Sequence, residues 1–233
     1  MYEEKIIPPK KAMPQAQDGT LRKFALRVPE VIYQCSGIMV FGKRIKSLVF
    51  STDLSIIKNV NADAIIAVYP FTPQPIITQA LLLAADIPVF AGVGGGLTKG
   101  QRVVNLAMFA EMQGATGVVL NAPTANTVVQ HVAETIDIPV VVTVARADTD
   151  FEARLQAGAN IFNVSAAAET PAIVRSIRER YPDVPIIATG GPTDESILET
   201  IQAGANAITW TPPTNGEIFR DIMAAYRDNK PHP

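Results

Sequence analysis

Short apolar runs alternate along this chain with longer stretches whose apolar residues recur every three or four positions. Four of the runs open on small residues followed by Asp, Asn or Gly: Asn61-Ala-Asp-Ala-Ile-Ile-Ala-Val68, Gly114-Ala-Thr-Gly-Val-Val-Leu-Asn121, Gly158-Ala-Asn-Ile-Phe-Asn-Val-Ser165 and Gly204-Ala-Asn-Ala-Ile-Thr-Trp-Thr211. Between them fall three of a second form: Asp86-Ile-Pro-Val-Phe-Ala-Gly-Val93, Asp137-Ile-Pro-Val-Val-Val-Thr-Val144 and Asp183-Val-Pro-Ile-Ile-Ala-Thr-Gly190. Gln-Ala-Gly-Ala-Asn even recurs verbatim, from Gln156 and from Gln202. The two forms alternate, so the repeating unit is two strand–helix pairs long.

Runs this short, rich in Val and Ile and opened by a turn residue or an early proline, read as strands buried on both faces of a parallel sheet. The stretches between them predict helices over 76–85, 101–113, 124–134, 150–156, 171–180 and 195–202, with a last helix over 217–226. Gly114, Gly158 and Gly204 stand where left-handed residues close helices. Counting from Ser47–Phe50 gives eight strands by 207–211. The expected fold class is therefore α/β, a closed (β/α)8 TIM barrel with an N-terminal extension. An open doubly wound sheet is the other architecture with this pattern, but it reverses direction once and lacks fourfold regularity. The expected division is residues 1–43 as an extension and 44–233 as the barrel. A helix over 21–33, interrupted near Pro29, would close the barrel bottom.

Composition narrows the function. With 48% hydrophobic and 18% charged residues the chain has ample core. A net charge near −2 provides no basic field for nucleic acid or anionic lipid, and the cluster Lys43, Arg44, Lys46 reads as solvated decoration. No run has the ~20 apolar residues that span a bilayer. No signal-peptide stretch opens the chain. The single Cys35 has no internal disulfide partner, which fits a reducing, cytoplasmic setting; ahead of the first barrel strand it reads as structural. A homo-oligomer is compatible with the sequence, which carries no signal that decides it.

In such barrels chemistry sits in the loops after the strands. Those loops nominate Ser51, Thr52 and Asp53; Tyr69, Pro70 and Thr72; Gly92 to Gly100; Asn121; Thr143, Arg146 and Asp148; Asn163 and Ser165; Thr189 to Pro192; and Thr209 to Pro213. Gly94, Gly95 and Gly96 could curl their N–H groups around an anion, with Lys99 and Arg102 adding charge, or could merely supply left-handed residues. Asp53 could act as general base or simply cap the next helix. Asn163, polar inside an apolar strand, must meet a ligand or a neighbouring strand. Arg146 could clamp a carboxylate or phosphate, or pair with Asp148 or Asp150. His131 falls mid-helix and His232 at the terminus. Zinc motifs, a serine-hydrolase elbow and a strand lysine placed for a Schiff base are all missing.

From the sixth strand onward, Ile186-Ile-Ala-Thr-Gly-Gly-Pro192, a helix, Gly204-Ala-Asn-Ala207 and an eighth strand resemble the ribulose-phosphate-binding barrels, such as indole-glycerol-phosphate synthase, thiamin-phosphate synthase and the 2-keto-3-deoxy-6-phosphogluconate aldolases. The resemblance covers about seventy-five residues and implies a phosphate held on Gly190 and Gly191. Two departures stand out. Thr211-Pro-Pro-Thr214 replaces the glycine loop expected after strand eight, and Asn163 stands in the neighbourhood of the aldolase lysine.

Two functional expectations follow. One is an enzyme on a small anionic metabolite, phosphorylated or not, an isomerase or lyase without Schiff base. It would use Asp53, Lys99 and Asn163 for catalysis and Gly94, Gly95, Gly96, Asn121, Arg146, Gly190 and Gly191 for binding. No cofactor is required, though Asp53 and Asp148 could hold Mg²⁺, and a hydrolase activating water through Asp53 is a variant. The other is a non-catalytic ligand-binding barrel. They differ in one observable: an enzyme brings Asp53 together with Lys99 or Asp148 at a pocket, whereas a binding module shows an apolar pocket and an Asp53 engaged in capping.

Overall fold

The computed structural model describes Gly19 and residues 25–231. A hairpin of β1 (Ile38–Val40) and β2 (Lys43–Ile45) precedes the repeat, which begins with β3 (Ser47–Phe50) and α1 (Leu54–Lys58). Then come β4 (Ala64–Ala67), α2 (Pro75–Ala84), β5 (Val89–Gly94), α3 (Gln101–Met112), β6 (Gly117–Leu120) and α4 (Asn126–Ala133). The second half runs β7 (Val140–Val144), α5 (Phe151–Gln156), β8 (Ile161–Val164), α6 (Thr170–Arg180), β9 (Ile186–Thr189), α7 (Asp194–Gln202), β10 (Ala207–Trp210) and α8 (Asn215–Arg227). Strands β3 to β10 pair in chain order, all parallel, and β10 closes on β3. This is the closed eight-stranded α/β barrel that the repeat predicts. No helix among the described residues is long and apolar enough to cross a membrane.

The repeat has a physical basis at the bottom of the barrel. Asp63 Oδ2 accepts the N–H groups of Lys46 at 2.8 Å and Ser47 at 3.0 Å, at the start of the preceding strand. Asn160 Oδ1 accepts from Val140 N at 2.8 Å, and Asn206 Oδ1 accepts from Ile186 N at 2.9 Å. In three of the four repeats a side chain thus satisfies a strand-opening donor that has no ladder partner. The helix-closing glycines adopt positive φ, 94° at Gly114, 99° at Gly158 and 115° at Gly204. Asn206 carries most of these bonds, since it also accepts from Arg178 and donates to Ser36 Oγ. Replacing Asn206 with Ala leaves the N–H of fully buried Ile186 unpaired and is expected to cost about 1–3 kcal/mol, read as a lower urea midpoint.

The interior is apolar below and mixed above. Leu48, Ile66, Phe90, Val119, Val141, Ile161 and Ile187 form one cluster inside the barrel, and Ile38, Val40 and Ile45 of the hairpin join it from beneath. The hairpin thereby seals the barrel floor, and it straddles the expected boundary at 43/44. The larger cluster lies between strands and helices and takes in Val28, Ile32 and Cys35. The expected helix over 21–33 is not what forms. Residues 21–24 lie outside the described residues; beyond them Leu26 bridges to Val60, and Glu30–Gln34 make a 3-10 turn. Pro29 lacks an N–H and biases Val28 to extended geometry, which breaks the helix there. Burial pushes the Cys35 thiol up to about 12, so it is inert as a nucleophile.

Candidate functional site

Successive side chains in a strand point to opposite faces, so the inward positions above the apolar cluster follow from the pleat. Two residues beyond Leu48, Ile66, Phe90, Val119, Val141, Ile161, Ile187 and Ala207 stand Phe50, Val68, Gly92, Asn121, Thr143, Asn163, Thr189 and Thr209. Neighbouring strands β3, β4 and β5 supply the apolar three, and β6 to β10 supply the polar five. The upper barrel is split into an apolar arc and an uncharged polar arc.

Within the polar arc two buried side-chain oxygens lack protein partners among the described residues. Asn163 is 8% exposed, and its Nδ2 donates to Thr143 Oγ1 at 3.3 Å while Oδ1 has no partner. Whichever way the amide is turned, one end meets Thr143 and the other is left over. Thr209 is 7% exposed, and its Oγ1 is likewise unpartnered. The Thr98 hydroxyl, in the loop after β5, is the third such atom. Thr189 is engaged, with its Oγ1 3.4 Å from Thr170 Oγ1.

Around this arc open three depressions of about 280, 550 and 970 Å³. The third runs along α7 to Pro29, Glu199 and Thr200; Thr143 and Asn163 lie below the three and line none. The first, between the loops after β4, β5 and β6, shares Val68, Tyr69, Pro70 and Asn121 with the second, which opens beside Asp53 and Pro212–Pro213. The second shares Thr211 with the third, which has Thr209 and Gly190–Gly191 in its wall. Asp53, Asp194 and Glu199 are the charged side chains in these walls. The mouth therefore carries carboxylates and no cation among its described lining residues.

Asp53 is a cap. Its Oδ1 accepts from Ser55 N at 2.8 Å, Ser55 Oγ at 2.7 Å and Ile56 N at 3.3 Å, and its Oδ2 accepts from Asn215 Nδ2. The carboxylate thus ties the start of α1 to the start of α8. The Ser55 hydroxyl, with the two backbone N–H groups and Asn215, holds the Asp53 carboxyl below its ordinary 3.8 despite some burial. A depressed carboxyl is a poor general base near neutrality. It also stabilises the fold above its unfolded value, and that contribution is lost as pH falls through the lower folded value. Asp53→Asn keeps a capping side chain and removes the charge. It is expected to cost up to about 1 kcal/mol near neutrality, and the gap from wild type should close below pH 3.8 in urea melts taken across pH.

The other predicted groups do not gather at Asp53. Lys99 is exposed and lines none of the three depressions. Arg146 is exposed and forked onto Asp148, with Nε to Oδ1 at 2.8 Å, a surface pair rather than a substrate clamp. Gly95 N donates to Thr98 O at 2.9 Å, so that loop donor is spent within the loop, and Gly94 O accepts from Asn121 N at 2.9 Å, which ties the loop to the end of β6. Gly96 and Asn121 do reach the mouth. Gly190 and Gly191 line the third depression, but packing explains both: a Cβ on Gly190 would stand 2.7 Å from Ile197, and one on Gly191 2.5 Å from Ser196 Oγ. Thr193 and Ser196 form a capping box at α7, and Thr214 and Glu217 form one at α8. These helix starts, where a phosphate would sit, are served by the chain's own side chains.

Arg154 was not legible as a site residue. It donates to the carbonyl oxygens of Thr124 and Ala122 and to Asn126 Oδ1, and so holds the loop that carries Asn121. Nothing in its local sequence signals this, because its partners lie about thirty residues away. Mg²⁺ keeps several waters and is held by one or two carboxylates. The pair expected to hold it does not assemble: both Asp53 oxygens accept hydrogen bonds and Asp148 pairs with Arg146. No group of three His, Cys, Asp or Glu converges among the described residues.

A search of protein-family models and of curated proteins finds no match. Solved structures do match in fold. A phosphonopyruvate hydrolase in complex with oxalate and Mg²⁺ shares 13% identity over 80% of this chain and 84% of its own, with TM-score 0.58. A phosphoenolpyruvate phosphomutase from Streptomyces platensis subsp. rosaceus shares 15% over 79% and 83%, also at 0.58. A 2,3-dimethylmalate lyase of the PEP mutase/isocitrate lyase superfamily shares 12% over 86% of each chain, at 0.59. These are TIM-barrel enzymes named for small anionic compounds. They bear out the barrel fold and add no support for the expected ribulose-phosphate-binding kinship. At Thr189-Gly-Gly-Pro192, which carried that resemblance, close helix–strand packing accounts for the glycines without any phosphate.

Proposed function

We propose that this chain is a ligand-binding barrel that takes an uncharged hydrogen-bonding group of a small molecule at its mouth, through Asn163, Thr143 and Thr209. The observation that carries the reading is the pair of buried, unpartnered polar groups at Asn163 and Thr209 on a closed apolar floor. Leaving a buried polar atom unsatisfied costs about 1–3 kcal/mol, a cost that a bound ligand removes. Asp53 engaged in capping and a mouth without cations fit a binding module better than acid–base chemistry on an anion.

A second reading keeps the enzyme: proton transfer through Asp53 on a small anion, with Lys99 and Asn163 assisting. Its support is the fold shared with enzymes named for phosphonopyruvate, phosphoenolpyruvate and 2,3-dimethylmalate and the place of Asp53 in the mouth wall. A thermal-shift panel separates the two. Acetamide and short alcohols form one arm, and oxalate, phosphate and phosphoenolpyruvate with and without Mg²⁺ the other. A ligand at a hundred times its dissociation constant stabilises by roughly 2.7 kcal/mol. The binding reading expects shifts in the neutral arm only, and a shift confined to the anions transfers the site to the second reading.

Thr209→Val sharpens the test. The hydroxyl has no partner in the protein, so its isosteric removal is expected to leave the ligand-free protein as stable or about 1 kcal/mol more stable, while the neutral ligands lose their shift. A destabilised Thr209→Val protein would show that the hydroxyl is already satisfied, and the proposal would fail.

A further inference from the structure

The split of the upper barrel into two arcs says more about the ligand than its head group. Resting on the uncharged-head reading above, we infer that the ligand is an amphipath whose apolar body lies over the β3–β5 side of the mouth. The apolar arc of Phe50, Val68 and Gly92 continues upward into the first two depressions, whose walls add Tyr69, Pro70, Phe71 and Leu97. Phe71 is 70% exposed and Leu97 79%. Single exposed apolar residues are ordinary. Here they rim the same opening, contiguous with an apolar wall, and such patches mark binding sites. A Cβ on Gly92 would lie 3.2 Å from Val68, so the absence of a side chain there keeps the passage from arc to mouth wide.

The two arcs face each other across the barrel axis because β3–β5 and β6–β10 are complementary runs of one closed ring. A polar head at Asn163, below the depressions, and at Thr209, in the wall of the third, directs the rest of a molecule toward Phe50 and Val68 across Thr211, where the third depression meets the second. Carboxylates are the charged groups in the walls, which disfavours an acidic head. The chemical class that fits is a short or medium-chain compound ending in an amide, carbonyl or hydroxyl group. The size fits too: the depression of about 550 Å³ lies within the usual range for small-molecule sites, roughly 300–1,000 Å³.

The test is a calorimetric titration of the full chain with acetamide, butanamide, hexanamide and octanamide, alongside hexanol, hexylamine and hexanoate. Burying one methylene is worth about fourfold in affinity, so the amides should tighten about fourfold per added carbon until the trough is filled. Hexanamide and hexanol should bind more tightly than hexanoate. The double variant Phe71→Ser, Leu97→Ser changes two exposed side chains and leaves the core intact; its gain per methylene should fall below about twofold. A flat amide series, with acetamide binding and Thr209→Val abolishing it, overturns the apolar body and leaves the head-group reading standing. A steep series unchanged in the double variant overturns the placement over the mouth. Absence of binding by every neutral probe overturns the head-group reading itself.

Discussion

Gly95→Ala is expected to be among the most damaging single substitutions in the chain, costing roughly 2–5 kcal/mol. Two independent terms add. Gly95 sits at φ +102°, where a residue with a Cβ is strained. A Cβ there would also stand 1.9 Å from Thr124 Oγ1 and 2.9 Å from Asn121 N. The threonine cannot turn away freely, because its hydroxyl donates to Asn121 O at 2.7 Å, and the backbone of Asn121 cannot move without breaking its bond to Gly94 O. Gly96→Ala is the control: the nearest atom to its Cβ would be Asn121 Nδ2 at 3.6 Å. Denaturant unfolding of the two proteins should differ by several-fold in stability loss. Equal losses would mean that the glycine run is held by a bound anion or by backbone freedom alone, and not by the close approach of β6.

Phe90→Ala is the second large effect, expected at about 3–5 kcal/mol. Phe90 is 1% exposed and belongs to the cluster inside the barrel. Its ring occupies space that Gly117, its partner across the β5–β6 ladder, leaves vacant: a Cβ on Gly117 would lie 2.6 Å from the ring. Interiors are close-packed, so the two positions are one volume divided between strands. Gly117→Ala alone should therefore destabilise by about 1–3 kcal/mol, and adding Phe90→Leu should recover part of that loss. Urea melts of the wild type, both single variants and the double variant form a thermodynamic cycle. Strict additivity would refute the shared-volume account.

Much of the barrel was legible because its signals are local. Proline at the third position of a run, Val and Ile within it and glycine after a helix act over a few residues, and they count eight strands without tertiary information. The recurrent Asp63, Asn160 and Asn206 were visible as a repeat, though not as strand-opening caps, since each reaches about twenty residues back. In the extension the break near Pro29 was legible, but before it Leu26 pairs with Val60 rather than entering a helix, a contact set by the fold. Helix ends shifted by a residue or two, as with α4 at Asn126–Ala133 against 124–134.

The candidate site divides the same way. Which residues end strands was readable, so Asn121, Asn163 and Thr209 were all nominated from the chain. What each of them does was not, because commitment of a polar group depends on partners far along the sequence. Asp53 caps α1 through Ser55 and Ile56, a role its sequence position already offered, but its second oxygen is engaged by Asn215, 162 positions away, which no local signal shows. Arg146 is neutralised by Asp148, two residues on, and only the exposed position of the pair separates surface from site. By itself the sequence determined a parallel barrel, its strand ends and its supply of uncharged polar side chains there, through periodicities carried within each segment. Only the tertiary structure decided that these form one polar arc facing an apolar one, because that arrangement exists once β10 has closed on β3.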